Sequence, residues 1–253
     1  MDLTLKDGRV VSFDGALSAL DVAKHVGDGF AKGALACKID GVVCSLDTLV
    51  DKDCAFEVLA FADAEGRKVY RHTCAHILAQ AVKNVYPTVQ LAIGPAVDNG
   101  FYYDFDFRTP ITQADFGKIE SEMKSIVKAN LPIIRIECTR KEAEGRIAKM
   151  KQIYKAELLS DIPQNQKITF YQQGDFVDLC AGPHLTSTGK IKAFKLTSLT
   201  GAYWKGNEKN KMLTRIYGTC FEKKSDLDEY IQKLEDAKMR DHNKVGRELG
   251  LFM

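Results

Sequence analysis

The stretch "LTLKDGRVVSF", residues 3–13, joins two runs of alternating apolar and polar residues at Asp7-Gly8. An Asp-Gly pair between two such runs is typical of a tight β-hairpin. A second hairpin is predicted in "ALACKIDGVVCSL" (34–46), and "AFEVLAF" (55–61) is predicted to be a closing strand. Between the hairpins, "SALDVAKHV" (18–26) has the apolar spacing of a short helix with Ser18 at its N-cap. Two hairpins around one helix predict a β-grasp domain over residues 1–62.

A larger unit is predicted for residues 63–224, after a charged linker at "ADAEGRK" (62–68). The run from "RHTCAH" (71–76) through "ILAQAVKNVYP" predicts one amphipathic helix, and "DNGFYYDFDF" predicts a strand with Phe101 and Tyr103 on the same face. Further helices are predicted from about Thr112 and after a capping box at Thr139. Strands are predicted at "ITFYQQ", "FVDLC", "KAFKLTSL" and "TRIYGTCF". The predicted fold class is therefore α+β.

The last part of the chain, residues 225–253, predicts a charged helix with Ser225 as its N-cap. The sequence finishes soon after this helix, at "GLFM". We therefore expect the helix to be a linker toward a further domain, and the chain to be a fragment of a longer protein.

Composition narrows the classes of protein to consider. The chain has 253 residues, 45% of them hydrophobic, and a formal charge of only +2, so any nucleic-acid surface is expected to be local. Seven cysteines, an odd number, do not indicate a disulfide framework and suit a reducing compartment. The N-terminus is charged and alternating, and no apolar run approaches 18 residues. We expect a cytoplasmic protein that does not bind membranes.

Four residues form a candidate site. His72 and His76 are spaced i, i+4 and therefore project from one helix face, and Cys180 and His184 form a second pair far along the chain. Imidazole and thiolate are ligands that zinc prefers, and four of them would complete a tetrahedron. From spacing alone, three interpretations stay open: a zinc site, a metal-free acid/base site, and two unrelated structural pairs.

Neighbouring residues extend this candidate site. Asp178 lies two residues before Cys180 on a predicted strand, so both side chains point to one face, where a carboxylate can bind an amine or orient an imidazole. Lys155 has the pattern of a solvated helix residue, and Asp178 could equally be an exposed strand residue. Gly94, in "AIGPAVDNG", can let the backbone approach a ligand closely, although tight turns use glycine for the same reason.

The single tryptophan, Trp204, lies beside Tyr203 among several lysines in "GAYWKGNEKNKMLTRIYGT". Such a segment can bind RNA, with an aromatic ring stacked on an unpaired base, and it can equally be a solvated loop around a core aromatic residue. Phosphate-binding loops, dinucleotide fingerprints and nucleophile elbows are all missing from the sequence. The His/Cys group therefore remains the main candidate for chemistry.

Five segments, in this order, resemble threonyl-tRNA synthetases: "RHTCAHILAQAV", "AIGPAVDNGFYYDF", "VDLCAGPH", "GAYWKGNEKNKMLTRIYGT" and "RDHNKVGRELGLF". The resemblance covers the whole chain. It implies a ubiquitin-like TGS domain over residues 1–62, a tRNA editing domain over 63–224 and a linker helix over 225–253. It also implies proofreading hydrolysis of seryl-tRNA(Thr), with the aminoacylated 3′ end of tRNA(Thr) as the partner.

The same resemblance implies roles for eight residues. His72, Lys155, His76, Cys180 and His184 are expected in the catalytic group, with Asp178, Tyr103 and Gly94 binding substrate. His72 and Lys155 are expected to activate water and stabilise charge, and Asp178 to hold the seryl ammonium. The threonyl branch implies a site without metal, whereas related alanyl editing proteins hold zinc with a similar set. The zinc alternative uses His72, His76, Cys180 and His184.

Other parts of such synthetases are expected outside this sequence. ATP, Mg²⁺ and a second zinc ion would belong to the class II catalytic core, so the chain is not expected to charge tRNA by itself. The full-length family implies a homodimer. Two alternative functions stay open: alanyl-type trans-editing, against which the N-terminal unit argues, and a non-catalytic module that docks tRNA or regulates.

Overall fold

The computed structural model describes residues 1–248 and begins with a five-stranded mixed sheet packed on a helix. The elements of this N-terminal unit are β1 (Asp2–Leu5), β2 (Val10–Ser12), β3 (Leu17–Ser18), α1 (Ala19–Val26), α2 (Asp28–Gly33), β4 (Ala36–Ile39), β5 (Val42–Cys44), β6 (Leu49–Val50) and β7 (Cys54–Leu59). The five-stranded sheet has the order β2-β1-β7-β4-β5, in which only the β1–β7 pair is parallel, and β3 pairs with β6 separately. This arrangement matches the predicted β-grasp.

Local signals explain these N-terminal elements. Ser18 caps α1 by accepting a hydrogen bond from the Asp21 amide, as predicted. Asp40 and Gly41 have φ values of 50° and 81°, which is the backbone that a two-residue hairpin turn requires. Apolar side chains from the sheet and from α1, including Leu3, Val22 and Phe56, form a core of their own.

Within residues 63–248, the second unit has two antiparallel sheets and five α-helices. Its elements are α3 (Ala64–Val85), β8 (Gln90–Leu91), β9 (Ala96–Val97), β10 (Gly100–Asp106), α4 (Phe116–Ala129), β11 (Ile133–Cys138), α5 (Arg140–Met150), α6 (Ile153–Asp161), β12 (Ile168–Gln173), β13 (Phe176–Leu179), β14 (Ala193–Tyr203), β15 (Met212–Phe221) and α7 (Lys224–Glu248). One sheet has the order β14-β15-β10-β8, with β9 also paired to β10, and the other has the order β11-β12-β13. The predicted α+β class is confirmed.

The linker predicted at residues 62–68 is wrong. Helix α3 starts at Ala64, and Gly66 lies so close to the end of the N-terminal unit that a Cβ there would come within 2.0 Å of the Ala60 carbonyl oxygen. The two units therefore follow each other without a spacer, although the domain boundary at residue 62 stays a prediction. Lys38 of β4 and Glu65 of α3 also form an ion pair across this junction.

Helix α3 is the centre of the second unit. The sequence predicts an amphipathic helix, but residues 73–82 are buried without interruption, so α3 is covered on all sides. Helix α4 and strand β10 both pack against it, and the main hydrophobic core includes Ile77, Leu78 and Phe105. The histidines of α3 are thus carried by a rigid central element.

The last helix differs from its prediction at the start. It begins at Lys224, so Ser225 lies in its first turn and is not the predicted N-cap. The end of the predicted linker, residues 249–253, lies outside the described residues. Within residues 1–248, the helices are too short or too polar to cross a membrane.

Candidate functional site

The two predicted pairs of the candidate site come together in the structure. His72 and His76 project from α3, while Cys180 and His184 follow β13. The Cys180 Sγ lies 3.3 Å from His72 Nε2 and 3.4 Å from His184 Nε2. One ligand atom from each of the four residues lies within 4.8 Å of the others. We call these four residues the His/Cys cluster; the interpretation as two unrelated pairs does not fit this geometry.

The loop after β13 has the backbone needed to bring Cys180 and His184 to α3. Gly182 has a φ of 72° and lies so close to Tyr171 that a Cβ would come within 2.0 Å of the Tyr171 hydroxyl. Its amide donates a hydrogen bond to Cys180 Sγ at 3.2 Å. Thr73, between the two histidines, accepts a hydrogen bond from the Leu185 amide at 3.0 Å and lies 3.2 Å from His184 Nδ1.

A buried network of three residues adjoins the His/Cys cluster. Tyr103 donates a hydrogen bond to Asp178 Oδ2 at 2.7 Å and accepts one from Lys155 Nζ at 3.0 Å. Lys155 Nζ also lies 2.5 Å from Asp178 Oδ1, and His76 Nε2 lies 3.8 Å from Asp178 Oδ2. The Lys155 and Asp178 side chains are only 3% and 1% exposed. The interpretations of Lys155 as a solvated helix residue and of Asp178 as an exposed strand residue are therefore wrong.

The Asp178 carboxylate has a partner on each oxygen. Tyr103 bonds Oδ2, and the Lys155 ammonium lies 2.5 Å from Oδ1, although outside the angle of a regular hydrogen bond. A buried carboxylate needs such partners, because leaving it unpaired is costly. In this network Asp178 therefore already binds an ammonium group.

Burial sets the protonation states in the cluster. It lowers the pKa of His72 to about 4, with Asp178 opposing the shift, and it also holds the pKa values of His76 and His184 well below the usual range. Burial raises the pKa of Cys180 to about 12. At neutral pH the site therefore combines three neutral imidazoles with a protonated thiol. A neutral imidazole can accept a proton from water.

Gly94 lies against the buried network. A Cβ at this position would come within 2.1 Å of Cδ2 of Tyr103, so any other residue would displace the tyrosine ring. The backbone on either side is paired to β10, because the Asp104 amide donates to the Ile93 carbonyl at 2.8 Å and the Tyr102 amide donates to the Pro95 carbonyl at 3.4 Å. Gly94 is thus needed for close packing, whatever binds nearby.

A cavity of about 340 Å³ leads to the cluster. Its walls include His72, Pro95, Ala96, Gly182 and Pro183, and the N-terminal unit contributes Val43. This volume is within the usual range for a small-ligand pocket. His72 lines the cavity, whereas His76 and His184 are buried behind it at 3% and 1% exposure.

The His/Cys cluster also fits zinc in its donor chemistry. Imidazole nitrogen and cysteine sulfur are both zinc ligands, and in a tetrahedral site with the usual Zn–N and Zn–S distances neighbouring ligand atoms are about 3.3–3.8 Å apart. The observed separations of up to 4.8 Å would need a small inward movement. Four protein ligands would leave no open position for water, so a zinc ion held by all four residues would be structural.

The tryptophan segment is part of the protein interior. Trp204 is 5% exposed and packs with Tyr154, Leu213 and Ala92, so the interpretation as a core aromatic residue applies. Tyr203 beside it is 42% exposed.

Sequence reasoning missed Thr73 and Tyr171, which both contact His184. Thr73 could have been found, because it directly follows His72 and lies between the two histidines. Tyr171 carries no comparable signal in the sequence.

Known proteins resemble this chain strongly. The family described as "Threonyl and Alanyl tRNA synthetase second additional domain" matches residues 168–217, which contain Asp178, Cys180 and His184. The threonine-tRNA ligase of Clostridioides difficile is 53% identical over 251 residues, which are 99% of this chain and 39% of that protein. Those of Clostridium acetobutylicum and Acetivibrio thermocellus are each 54% identical over 250 residues. The chain spans about 39% of the length of these relatives.

Proposed function

We propose that this chain, which matches threonine-tRNA ligases along 99% of its length, is their proofreading part and hydrolyses seryl-tRNA(Thr). The observation that carries the proposal is the buried Asp178 carboxylate, which binds the Lys155 ammonium beside the His/Cys cluster. A group that accepts an ammonium next to neutral imidazoles suits an aminoacyl ester. Such an ester places a free amine close to a carbonyl carbon that water can attack.

Proofreading compensates for limited amino-acid selection in the aminoacylation site. Serine lacks one methyl group of threonine, and the pocket of that site gains only about 1–3 kcal/mol of binding energy from a group of this size. A second pocket that accepts serine and clashes with the methyl group reverses the selection, because it hydrolyses the smaller product. The close contact of Gly94 with Tyr103 provides a wall that could not yield easily to an extra methyl group.

The proposed roles follow the positions of the side chains. Asp178 holds the seryl ammonium, and Lys155, whose ammonium lies 2.5 Å from the same carboxylate, stabilises charge on the ester carbonyl. His72, neutral and at the cavity, accepts a proton from the attacking water. Tyr103 and the backbone at Gly94 form the pocket wall.

The other three residues of the cluster complete the site. His76, Cys180 and His184 are proposed to form the floor that holds the terminal adenosine. If zinc is bound, His72, His76, Cys180 and His184 would hold it, and it would fix these side chains in place. In the proposed reaction, side chains of the protein carry out the hydrolysis, whether or not zinc is bound.

The remaining partners and properties are also part of the proposal. The aminoacylated 3′ end of tRNA(Thr) enters the cavity, and aminoacylation with ATP and Mg²⁺ belongs to the part of the relatives that this chain does not span. We expect a cytoplasmic protein, and a homodimer in the full-length ligases.

Substituting His72 separates catalysis from docking. We expect His72→Ala to abolish deacylation of seryl-tRNA(Thr) while leaving tRNA binding unchanged, because its ring meets the reacting water and not the tRNA backbone. His25→Ala is the matched control, since His25 lies in the N-terminal unit and bonds only the Asp21 carbonyl among described residues. Persistent hydrolysis in His72→Ala would refute the role of His72. Binding without hydrolysis in the unaltered chain would identify a docking module instead.

A further inference from the structure

We infer that Trp204 and Glu157 are positioning residues that hold the helix carrying Lys155 in place. The inference rests on the proposed function of Lys155. It concerns the tip of the β14–β15 hairpin, residues 204–211, which includes the only tryptophan in the chain. This segment docks on α6, although the two are separated by three strands in the sequence.

The contacts lie along one stripe of α6. Trp204 Nε1 donates a hydrogen bond to Glu157 Oε2 at 2.7 Å, and the Trp204 ring packs edge-on against Tyr154 with 4.9 Å between centroids. Lys205 Nζ donates to Asp161 Oδ2 at 2.6 Å. Leu158 packs against the same small core. Residues 154, 157, 158 and 161 have the i, i+3, i+4, i+7 spacing of one helix face.

The hairpin tip is itself well ordered for this contact. The Trp204 amide donates to the Lys211 carbonyl at 3.0 Å, and Asn210 Nδ2 donates to the Trp204 carbonyl at 2.9 Å. Lys211 and Tyr154 both bond Asp106 Oδ2, each at 2.8 Å. The tip therefore joins α6 to the end of β10, the strand that also carries Tyr103.

Helix α6 needs such support. It has nine residues, and its N-cap residue, Gln152, makes no capping hydrogen bond with its side chain. A helix this short is not stable on its own in water, so tertiary contacts determine its position. Lys155 follows Tyr154 directly, and its side chain projects about 100° around the helix, toward the buried network.

A small rotation of α6 would therefore move Lys155 Nζ. This atom lies 3.0 Å from the Tyr103 hydroxyl and 2.5 Å from Asp178 Oδ1, so it has little freedom before both contacts are lost. Misplacement of a reacting group by about 1 Å can reduce a rate by about 100-fold. The hydrogen bond between Trp204 and Glu157 is the contact that one conservative substitution can test.

The experiment compares Glu157→Ala, Glu157→Gln and Trp204→Phe in the full chain, with Ile153→Ala as the control. Ile153 lies on the same helix and is 55% exposed, away from the hairpin tip. Two quantities are measured: the single-turnover rate of seryl-tRNA(Thr) deacylation as a function of protein concentration, and the acetylation of Lys155 by acetic anhydride, followed by mass spectrometry. The fluorescence of Trp204 reports its own environment.

We expect Glu157→Ala and Trp204→Phe to lower the maximal rate by about 10- to 100-fold, with half-saturation changed less than about twofold. Both should increase Lys155 acetylation severalfold. Glu157→Gln keeps an acceptor for Trp204 Nε1 and should retain the rate and the protection, like Ile153→Ala. If Trp204→Phe does not fold, Glu157→Ala decides.

Two results would overturn the inference. One is an unchanged deacylation rate and unchanged Lys155 acetylation in Glu157→Ala. The other is an equal decrease of the rate and an equal increase of Lys155 acetylation in Glu157→Ala and Glu157→Gln. If the unaltered chain does not hydrolyse seryl-tRNA(Thr), the proposed function fails, and Lys155 acetylation alone decides whether the tip positions α6.

Discussion

Lys155→Met should destabilise the second unit strongly. Methionine is unbranched and one heavy atom shorter than lysine, so the substitution mainly removes the charge. Among the described residues it leaves the Asp178 carboxylate, 1% exposed, with Tyr103 as its only hydrogen-bond donor. Breaking a buried ion pair from one side costs about 3–5 kcal/mol, because the other charge stays buried without a counter-ion. For a chain of this size, such a loss would lower the melting temperature by about 6–20 °C.

A double substitution tests the origin of this loss. Lys155→Met combined with Asp178→Asn removes both charges, so it should recover at least half of the free energy lost in Lys155→Met alone. Lys233→Met is the matched control. Lys233 pairs with Glu229, and because the two side chains are 70% and 68% exposed, this pair should contribute far less to the free energy of unfolding.

Denaturant unfolding followed by the fluorescence of Trp204 measures this directly, since the tryptophan lies in the same unit as the pair. If Lys155→Met lowers the free energy of unfolding by less than about 1 kcal/mol, the prediction for a buried ion pair is refuted, because a surface ion pair contributes that much. A double variant less stable than the single one would show that the loss comes from packing and not from the unpaired carboxylate.

Three further predictions concern single positions. Gly94→Ala should destabilise the protein by about 1–3 kcal/mol and reduce hydrolysis, because a Cβ would come within 2.1 Å of the Tyr103 ring. Gly117→Ala is the control and should be neutral or stabilising, because a Cβ at this position of helix α4 meets open space. Equal melting temperatures for the two variants would contradict this prediction. The low pKa of His72, about 4 against about 6.5 in the unfolded chain, means that the unfolded state takes up the proton first. The contribution of His72 to the free energy of unfolding of the metal-free protein should thus be constant above about pH 6.5 and fall by up to about 3 kcal/mol toward pH 4. His76 and His184, whose pKa values are also lowered, should add to this fall. His72→Ala should therefore make the slope smaller without removing it, and an unchanged slope would assign it to the other groups. Cys180, whose pKa is raised to about 12, should react slowly with iodoacetamide at pH 8 in the native chain and quickly in urea; equal rates would show that its thiol is not shielded.

Local signals predict much of the fold. The turns at Asp7-Gly8 and Asp40-Gly41 need residues that accept a positive φ, and Ser18 and Thr139 place an oxygen where a helix leaves amides unpaired. Each signal acts over a few residues, so it is visible without knowledge of the tertiary fold. The helix start at Lys224 and the short helix α6 have no such signal, and both depend on tertiary packing.

The site is less visible from sequence. The spacing of His72 and His76 predicts that both lie on one helix face, and Cys180 and His184 form a second candidate pair, but only the fold shows that the two pairs meet. The burial of Lys155 could not be predicted, because its segment is polar and its partner Asp178 lies on another element. Trp204 illustrates the same limit: its pattern suits RNA binding and core packing equally, and its position against α6 decides between them.

The rate of deacylation of seryl-tRNA(Thr) and threonyl-tRNA(Thr) by the full chain, before and after exhaustive chelation with metal analysis of the same sample, tests the proposed proofreading. We predict rapid loss of serine, slow loss of threonine and the same rates after chelation. Loss of activity together with zinc would make the His/Cys cluster a required metal site. Equal rates for both substrates, or none for seryl-tRNA(Thr), would contradict the proposed function.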